Sequence, residues 1–183
     1  MVMEKPKWRR RASTYLVDSP YMRVRDDEIE LPDGTLVHYY VRESNGFAIA
    51  FPITNDDRVV LVRQYRYGSD GLHLELPAGT IDDDEDARTC VARELIEETG
   101  YDVQSWEFVG TYLAEPVRSN SRAHIFVGRG AHKVCEPTPD PTEVLEVELV
   151  ALDDFRAMLA DGSIDVGHAV TGGYRALDYL GRL

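Results

Sequence analysis

Between residues 8 and 46 apolar and polar positions alternate in short runs, STYLV, YMRVRDDEIEL and TLVHYYVRE. Ser19-Pro20, Pro32-Asp33-Gly34 and Asn45-Gly46 interrupt them, so the pattern predicts strands joined by tight turns. A hairpin unit of this size cannot bury its own faces, and it is expected to dock on a main domain or on a partner subunit. FAIAFPI and RVVLVRQY, separated by Thr-Asn-Asp-Asp, read as two strands rich in β-branched and aromatic residues. HLELPAG, residues 73–79, is a strand running into a tight strand-to-helix turn at Pro77-Ala78-Gly79. Trp106 to Leu113 and Ser121 to Val127 are two more strands, joined by AEPVRSN. LEVELVAL alternates as a last one, with Glu146 and Glu148 on one side, and the proline-rich segment 134–144 before it is a loop. Helical spacing follows, with Asp153 capping 154–160 and Asp161-Gly162 ending it. A final helix over 168–180 carries the stripe Ala169, Val170, Tyr174, Leu177 and Leu180. These two helices are expected to cover the sheet.

One further stretch, GTIDDDEDARTCVARELIEETGY at residues 79–101, departs from the ordinary amphipathic rule. Its helix is predicted to begin near Asp84, which can cap free N–H groups, and to stop at Gly100. With Ala87 at the centre of the buried face, Cys90, Val91 and Leu95 fall within about 80° of it. So do Glu94, Glu97 and Glu98. Three carboxylates thus share the apolar stripe and crowd the last turn, where the helix dipole disfavours negative charge. Clustered carboxylates beside a core raise their pKa values or demand a cation, and hard oxygen donors suit magnesium or manganese. Asp82, Asp83 and Asp86 read instead as a solvated acidic surface, the usual meaning of a charge run. Arg93 is placed to orient a carboxylate through two hydrogen bonds.

Composition narrows the setting. A chain of 183 residues with 43% hydrophobic content suits one compact domain with an appendage. The net charge of −13 argues against nucleic-acid partners, whose phosphates are gripped by Lys and Arg. The two cysteines, Cys90 and Cys135, do not make a disulfide framework, and Cys90 on the buried face reads as a free thiol in a reducing cytoplasm. The basic MVMEKPKWRRR start is followed by no apolar h-region, and no apolar run is long enough to cross a bilayer, so neither export nor a membrane partner is expected.

Gly79, Glu85, Arg93-Glu94-Leu95, Glu97-Glu98, Gly100 and Tyr101 stand at the spacing of the Nudix box, and the chain resembles the Nudix hydrolases over roughly residues 10–180. Tyr101 is the one mild departure, standing where the family usually has an aliphatic residue. The resemblance implies an α/β class (an α+β mixed sheet), the Nudix α/β/α sandwich with an N-terminal antiparallel β-hairpin unit. It divides the chain into an N-terminal unit at 1–45, in dimer contact, and a catalytic domain at 46–183; the protein is expected to be a homodimer. Trp8 and Tyr15 are open between packing, dimer contact and base stacking.

The implied activity is Mg²⁺-dependent hydrolysis of the pyrophosphate bond of ADP-ribose or a related nucleoside diphosphate sugar, with Mn²⁺ as a possible substitute. Two or three ions would be held by Glu94, Glu97, Glu98 and the carbonyl of Ala78. Arg66 matches the position from which ADP-ribose hydrolases of the family present an arginine to the substrate phosphates; Arg63 is open between substrate and an ion pair. Glu75 either faces the site, which the resemblance favours, or pairs with an arginine. Pro116, sixteen residues after Gly100, matches a proline common in ADP-ribose pyrophosphatases. The following loop, VRSNSR, lacks the glutamate that often serves there as general base, so Glu115, Glu143, Glu97 and Glu98 remain candidates. Ser119, Asn120 and Arg122 are expected to contact ligand or cap turns. His38, His73, His124, His132 and His168 show no metal spacing and read as core or surface residues. The alternatives are another nucleoside diphosphate derivative as substrate, such as a dinucleoside polyphosphate or an NAD-type dinucleotide, and a non-catalytic nucleotide-binding module on the same scaffold.

Overall fold

The structure is a computed structural model that describes residue 4 and residues 6–140 and 142–183. Part of the basic N-terminal stretch and Pro141 of the proline loop lie outside the described residues. The chain forms two units, one running to Asn45 and including Leu113–Ser121, the other comprising Gly46–Tyr112 and Arg122–Leu183.

In the first unit β1 (Arg9–Ser19), β2 (Met22–Glu30) and β3 (Leu36–Glu43) form an antiparallel sheet in the order β1-β2-β3, as the alternating pattern predicts. Its few buried groups include Asp27, at 4% exposure, which accepts hydrogen bonds from Ser13 Oγ at 2.6 Å and Arg25 Nε at 2.9 Å. The segment 113–121 docks on this sheet. Arg42 N donates to Arg118 O at 2.8 Å, Ser119 Oγ donates to Arg42 O at 2.9 Å, and the Tyr39 hydroxyl donates to Val117 O. The joining loop AEPVRSN therefore packs with the N-terminal unit, whereas a division at 45/46 alone assigns it to the catalytic domain.

The second unit contains β4 (Phe47–Ile53), β5 (Arg58–Arg66), β6 (Gly71–Glu75), β7 (Ala78–Thr80), α1 (Ala87–Thr99), β8 (Tyr101–Asp102) and all but the last residue of β9 (Ser105–Leu113). After these come β10 (Arg122–Arg129), β11 (His132–Lys133), β12 (Leu145–Ala151), α2 (Leu152–Asp161) and α3 (Gly167–Tyr179). The main sheet runs β12-β5-β4-β10-β9, with β6 beside β5 and β7 beside β4. It is mixed, because β10 lies parallel to β4 while β12, β6 and β7 pair antiparallel. Alternate residues of β4 serve opposite faces. Ile49, Phe51 and Ile53 pack with Phe155 and Leu159 of α2 and Ala169 and Leu177 of α3; Ala48 and Ala50 pack with Cys90, Val91 and Leu95 of α1. Helices cover both faces, which is the expected sandwich. Full burial of a side chain such as Phe51 or Phe155 contributes about 1.5–3 kcal/mol.

Several local expectations shift. The N-cap of α1 is Asp86, whose side chain accepts from Thr89 N at 2.7 Å, while Asp84 lies outside the helix at φ 66°. The acidic run 82–86 holds four aspartates that could each cap this helix. An ion pair between Glu85 and Arg93 draws Glu85 out of the first turn and decides among them. Ala78–Thr80 pairs with β4 as a strand, so the turn into α1 comes at 81–86 and not at Pro77-Ala78-Gly79. The N-cap position of α2 is Ala151, with no side-chain cap, and Asp153 lies in its first turn. On α3 Tyr174 is 39% exposed, and the buried face is Ala169, Gly172, Gly173, Ala176 and Leu177, since only small residues fit that close to β4 and α2. Cys90 is a buried free thiol, its pKa pushed up to about 12 by burial and by Glu94 and Glu85, and Cys135 is free and exposed. Among the described residues no helix is long and apolar enough to cross a membrane.

Candidate active site

The last turns of α1, strand β7 and the loop before β12 enclose a cavity of about 510 Å³. Arg66, Ala78, Arg93, Glu94, Glu97 and Glu143 line it, together with Gly79, Thr80, Asp82, Thr138 and Asp140. The box residues meet there for identifiable reasons. Gly79 is required because the Glu94 carboxylate packs directly on its Cα, where any Cβ would collide with it. Gly100 ends α1 in the left-handed conformation at φ 71°, and its carbonyl accepts from Val134 N at 2.8 Å. Thr138 N donates to Glu97 O at 2.8 Å, which draws the proline loop onto the helix end.

Arg93 organises the carboxylates. Its Nε and Nη2 each donate to Glu85 at 3.0 Å, and its Nη1 donates to Glu94 at 2.8 Å and to Glu97 at 3.0 Å. The Glu85 hydrogen bonds come first among the interactions that raise the arginine's pKa, and they hold the Glu85 carboxyl below its usual range. The three glutamates differ in depth. The Glu97 side chain is 44% exposed and that of Glu94 14%, whereas Glu98 is buried at 2% and accepts from Ala78 N at 3.1 Å. Burial raises the pKa of Glu94 against the pull of Arg93. It raises that of Glu98 well above the ordinary value, reinforced by Glu94 and Glu143 and only partly offset by the Ala78 N–H and Arg66.

Arg66 reaches the cavity from the end of β5 while both oxygens of Glu75 receive its Nε and Nη2 at 2.9 and 2.7 Å. Glu75 is fully buried, so the arginine pairing left open by the sequence is the one formed, and the carboxylate does not line the acidic cavity. Burial alone would raise its pKa; Arg66 and His168 outweigh that and bring it to about 2. Arg63 pairs with Glu148 through Nε and through Nη2 at 3.3 Å, outside the cavity lining. Arg122 is exposed at the start of β10, also outside that lining. Glu115 and Pro116 belong to the first unit, where Glu115 O accepts from Ser119 N at 2.8 Å. Ser119 and Asn120 fix the same loop, Asn120 by accepting from Ser44 N at 3.0 Å. Sequence reasoning missed Thr80, Thr138 and Asp140, and it placed Asp82 on a solvated surface. The proline density of 134–144 is the signal that marks the loop carrying two of these residues.

A family model of the NUDIX domain matches residues 45–169, and the chain therefore belongs to the Nudix hydrolase family. Ahead of that span, residues 8–41 match a second family model, the nucleoside diphosphate sugar hydrolase N-terminal domain. A CMP-5'-(N-acetyl-N-hydroxy-3-aminopropyl)phosphonate hydrolase of Streptomyces rubellomurinus is 34% identical over 157 residues, 85% of this chain and 75% of that protein. An ADP-ribose pyrophosphatase of Bacillus subtilis is 26% identical over 129 residues, 70% of each chain. The fold is shared with a solved ADP compounds hydrolase at TM-score 0.82 and 22% identity, covering 100% of both chains.

Enzymes of this family generally use divalent cations. Among the described residues no three His, Cys, Asp or Glu side chains are already grouped to enclose one, and Arg93 Nη1 stands between Glu94 and Glu97. The donor chemistry nonetheless fits a hard ion. The side-chain donors are carboxylates and the hydroxyls of Thr80 and Thr138, all oxygen, Ala78 lies at the cavity wall, and Glu98 is a buried acid whose nearest charged neighbours are mainly negative.

Proposed function

We propose that this enzyme hydrolyses the pyrophosphate bond of ADP-ribose or a related nucleoside diphosphate sugar, in a Mg²⁺-dependent reaction, to a nucleoside monophosphate and a sugar phosphate. The observation that carries this reading is the single cavity in which Glu94 and Glu97 of the box face Arg66 with Glu98 buried behind them. The names of the similar proteins, an ADP-ribose pyrophosphatase and a CMP-linked phosphonate hydrolase, support the substrate class.

Glu94, Glu97, Glu98 and the Ala78 carbonyl would hold Mg²⁺, with Mn²⁺ as a substitute. Bound there, the ion supplies Lewis-acid polarisation of the phosphate and an activated water. Arg66 binds the diphosphate oxygens with the edge of its guanidinium not committed to Glu75. Arg93 keeps Glu94 and Glu97 from splaying apart under their mutual repulsion. Of the candidate bases, Glu143 is favoured because it lines the cavity and, unlike Glu97 and Glu98, is not assigned to the ion; Asp140 N tethers it by donating to its Oε2 at 3.1 Å. A homodimer through the N-terminal sheet and a cytoplasmic location complete the reading. Support for the dimer is the exposure of Trp8, Leu16 and Met22 at 49%, 57% and 48%.

The test is phosphomonoester release from ADP-ribose, UDP-glucose, GDP-mannose, a CMP-linked phosphonate, NADH and diadenosine polyphosphates, each with Mg²⁺ and with Mn²⁺. The expected result is a kcat/KM for ADP-ribose or a nucleoside diphosphate sugar at least about tenfold above NADH and the polyphosphates. A preference for either of those, or no release from any substrate, overturns the proposal.

A further inference from the structure

Arg66 is fastened from the side away from the acidic cavity. A second cavity, of about 360 Å³, is lined by Arg66, Ser69, His73, Glu75, Asp165 and His168, with Val166, and it shares only Arg66 with the first. Two chains of contacts start from residues 165–168, at the beginning of α3, and both end on Arg66. In the first, His168 Nε2 stands 3.2 Å from Glu75 Oε2, and Glu75 grips the guanidinium with both oxygens. In the second, Asp165 Oδ1 lies 3.0 Å from His73 Nδ1, His73 Nε2 lies 2.7 Å from Ser69 Oγ, and Ser69 Oγ lies 3.2 Å from the Arg66 carbonyl.

The histidine is the critical link. Its Nε2 is buried and meets no hydrogen-bond partner other than this ionic contact among the described residues. Its ring is fixed edge-on to Phe47 of β4, centroids 6.1 Å apart. The Glu75 carboxylate it faces is fully buried and cannot turn to water if the contact is lost. A buried carboxylate with two cationic or donor partners has one stable orientation; with one partner it can pivot and carry that partner with it.

We propose that His168 is a positioning residue, which sets the direction of Arg66 toward the acidic cavity through Glu75 without itself touching substrate. This rests on the reading of Arg66 as the diphosphate-binding arginine. The role deepens the proposed function by making phosphate recognition depend on a helix that contributes nothing else to the acidic cavity.

A double-mutant cycle on the full chain, assayed with ADP-ribose and Mg²⁺, tests it. His168→Ala is expected to lower kcat/KM about tenfold, chiefly through KM, because a misdirected guanidinium loses its grip on the phosphates. His168→Gln, whose amide nitrogen can take the place of Nε2, is expected to recover most of the loss. In an Arg66→Ala background, His168→Ala is expected to change kcat/KM by less than about twofold, since nothing remains to be positioned. A purely structural role would give the same loss in both backgrounds and no rescue by Gln, and either result overturns the inference. If Arg66→Ala alone leaves kcat/KM unchanged, the reading of Arg66 fails and this inference with it; if it impairs turnover while the cycle is additive, only the role of His168 falls. Melting curves establish that each variant is folded. His168→Leu, which keeps bulk against Phe47, replaces His168→Ala in the cycle if the alanine variant does not fold.

Discussion

Glu75 at the end of β6 and Glu98 in the last turn of α1 are both buried, at 0% and 2% exposure, and their carboxyls are driven in opposite directions. Glu75 is brought down to about 2, because Arg66 and His168 outweigh the penalty of burial. Glu98 is pushed well up, because burial is joined by Glu94 and Glu143 and a single backbone N–H and a distant arginine do not compensate. Burial of a charge is tolerated when its partner is built in, and it is a standing cost when the partner must come from outside. The first carboxylate is part of the protein's framework. The second is a buried carboxyl whose pKa is raised by burial and by its acidic neighbours, the pattern found at functional sites.

The largest expected effect breaks the Glu98 side of this contrast. Glu98→Gln should lower kcat by about 10²–10³-fold and yet raise the melting temperature in metal-free buffer. The sign follows from linkage. A folded-state pKa above the ordinary 4.5 means that folding takes up a proton, so this contribution to stability is complete below 4.5 and is lost as pH rises through the folded value. At pH 8 the glutamine variant escapes that loss. Added Mg²⁺ should then stabilise the wild type more than the variant, and calorimetry with and without chelator measures both. A variant that melts lower than wild type in metal-free buffer at pH 8 would show the buried carboxylate to be satisfied by the protein alone.

Glu75→Gln should do the reverse, lowering stability at pH 7 by about 3 kcal/mol. Here the folded pKa is depressed, so the stabilisation is present above 4.5 and disappears as pH falls toward about 2. Urea midpoints taken from pH 7 down to pH 2 should show the gap between wild type and variant closing across that window. A gap independent of pH would mean that the Arg66 pair is not the cause.

The smallest effect is expected earlier on β5, at Arg63. Its partner Glu148 is 34% exposed and its own side chain 37%, so Arg63→Ala should cost within about 1 kcal/mol and leave kcat/KM within about twofold of wild type. A drop in kcat/KM beyond tenfold, measured on ADP-ribose, would return Arg63 to the substrate.

How far the site was legible depended on whether the relevant contacts were local. The three-carboxylate face of α1 could be read from spacing, because 3.6 residues per turn fixes which side chains share a side. Their order of burial could not. Glu97 at 44% and Glu98 at 2% differ because β7 closes over one flank of the helix while the other opens to the cavity. The N-cap illustrates the same limit: the acidic run contains four chemically competent caps, and a contact with Arg93, eight residues beyond Glu85, selects Asp86. His168 gave no sequence signal at all, since it meets Glu75 only after the chain has passed through six strands and two helices.

By itself the sequence determined the periodicities, the turn residues and the box spacing, and these in turn specified the strands and a carboxylate-lined helix face, while the mixed sandwich was implied by the family resemblance. Local geometry is enough for that, because side-chain period and backbone freedom are properties of a few consecutive residues. Tertiary structure alone decided which buried glutamate has a cation of its own and which lacks one, and that the loop 113–121 joins the N-terminal sheet. Those outcomes depend on dielectric surroundings and on partners 9 residues apart for Arg66 and Glu75 and 77 apart for Arg42 and Ser119, and neither is encoded at any single position of the chain.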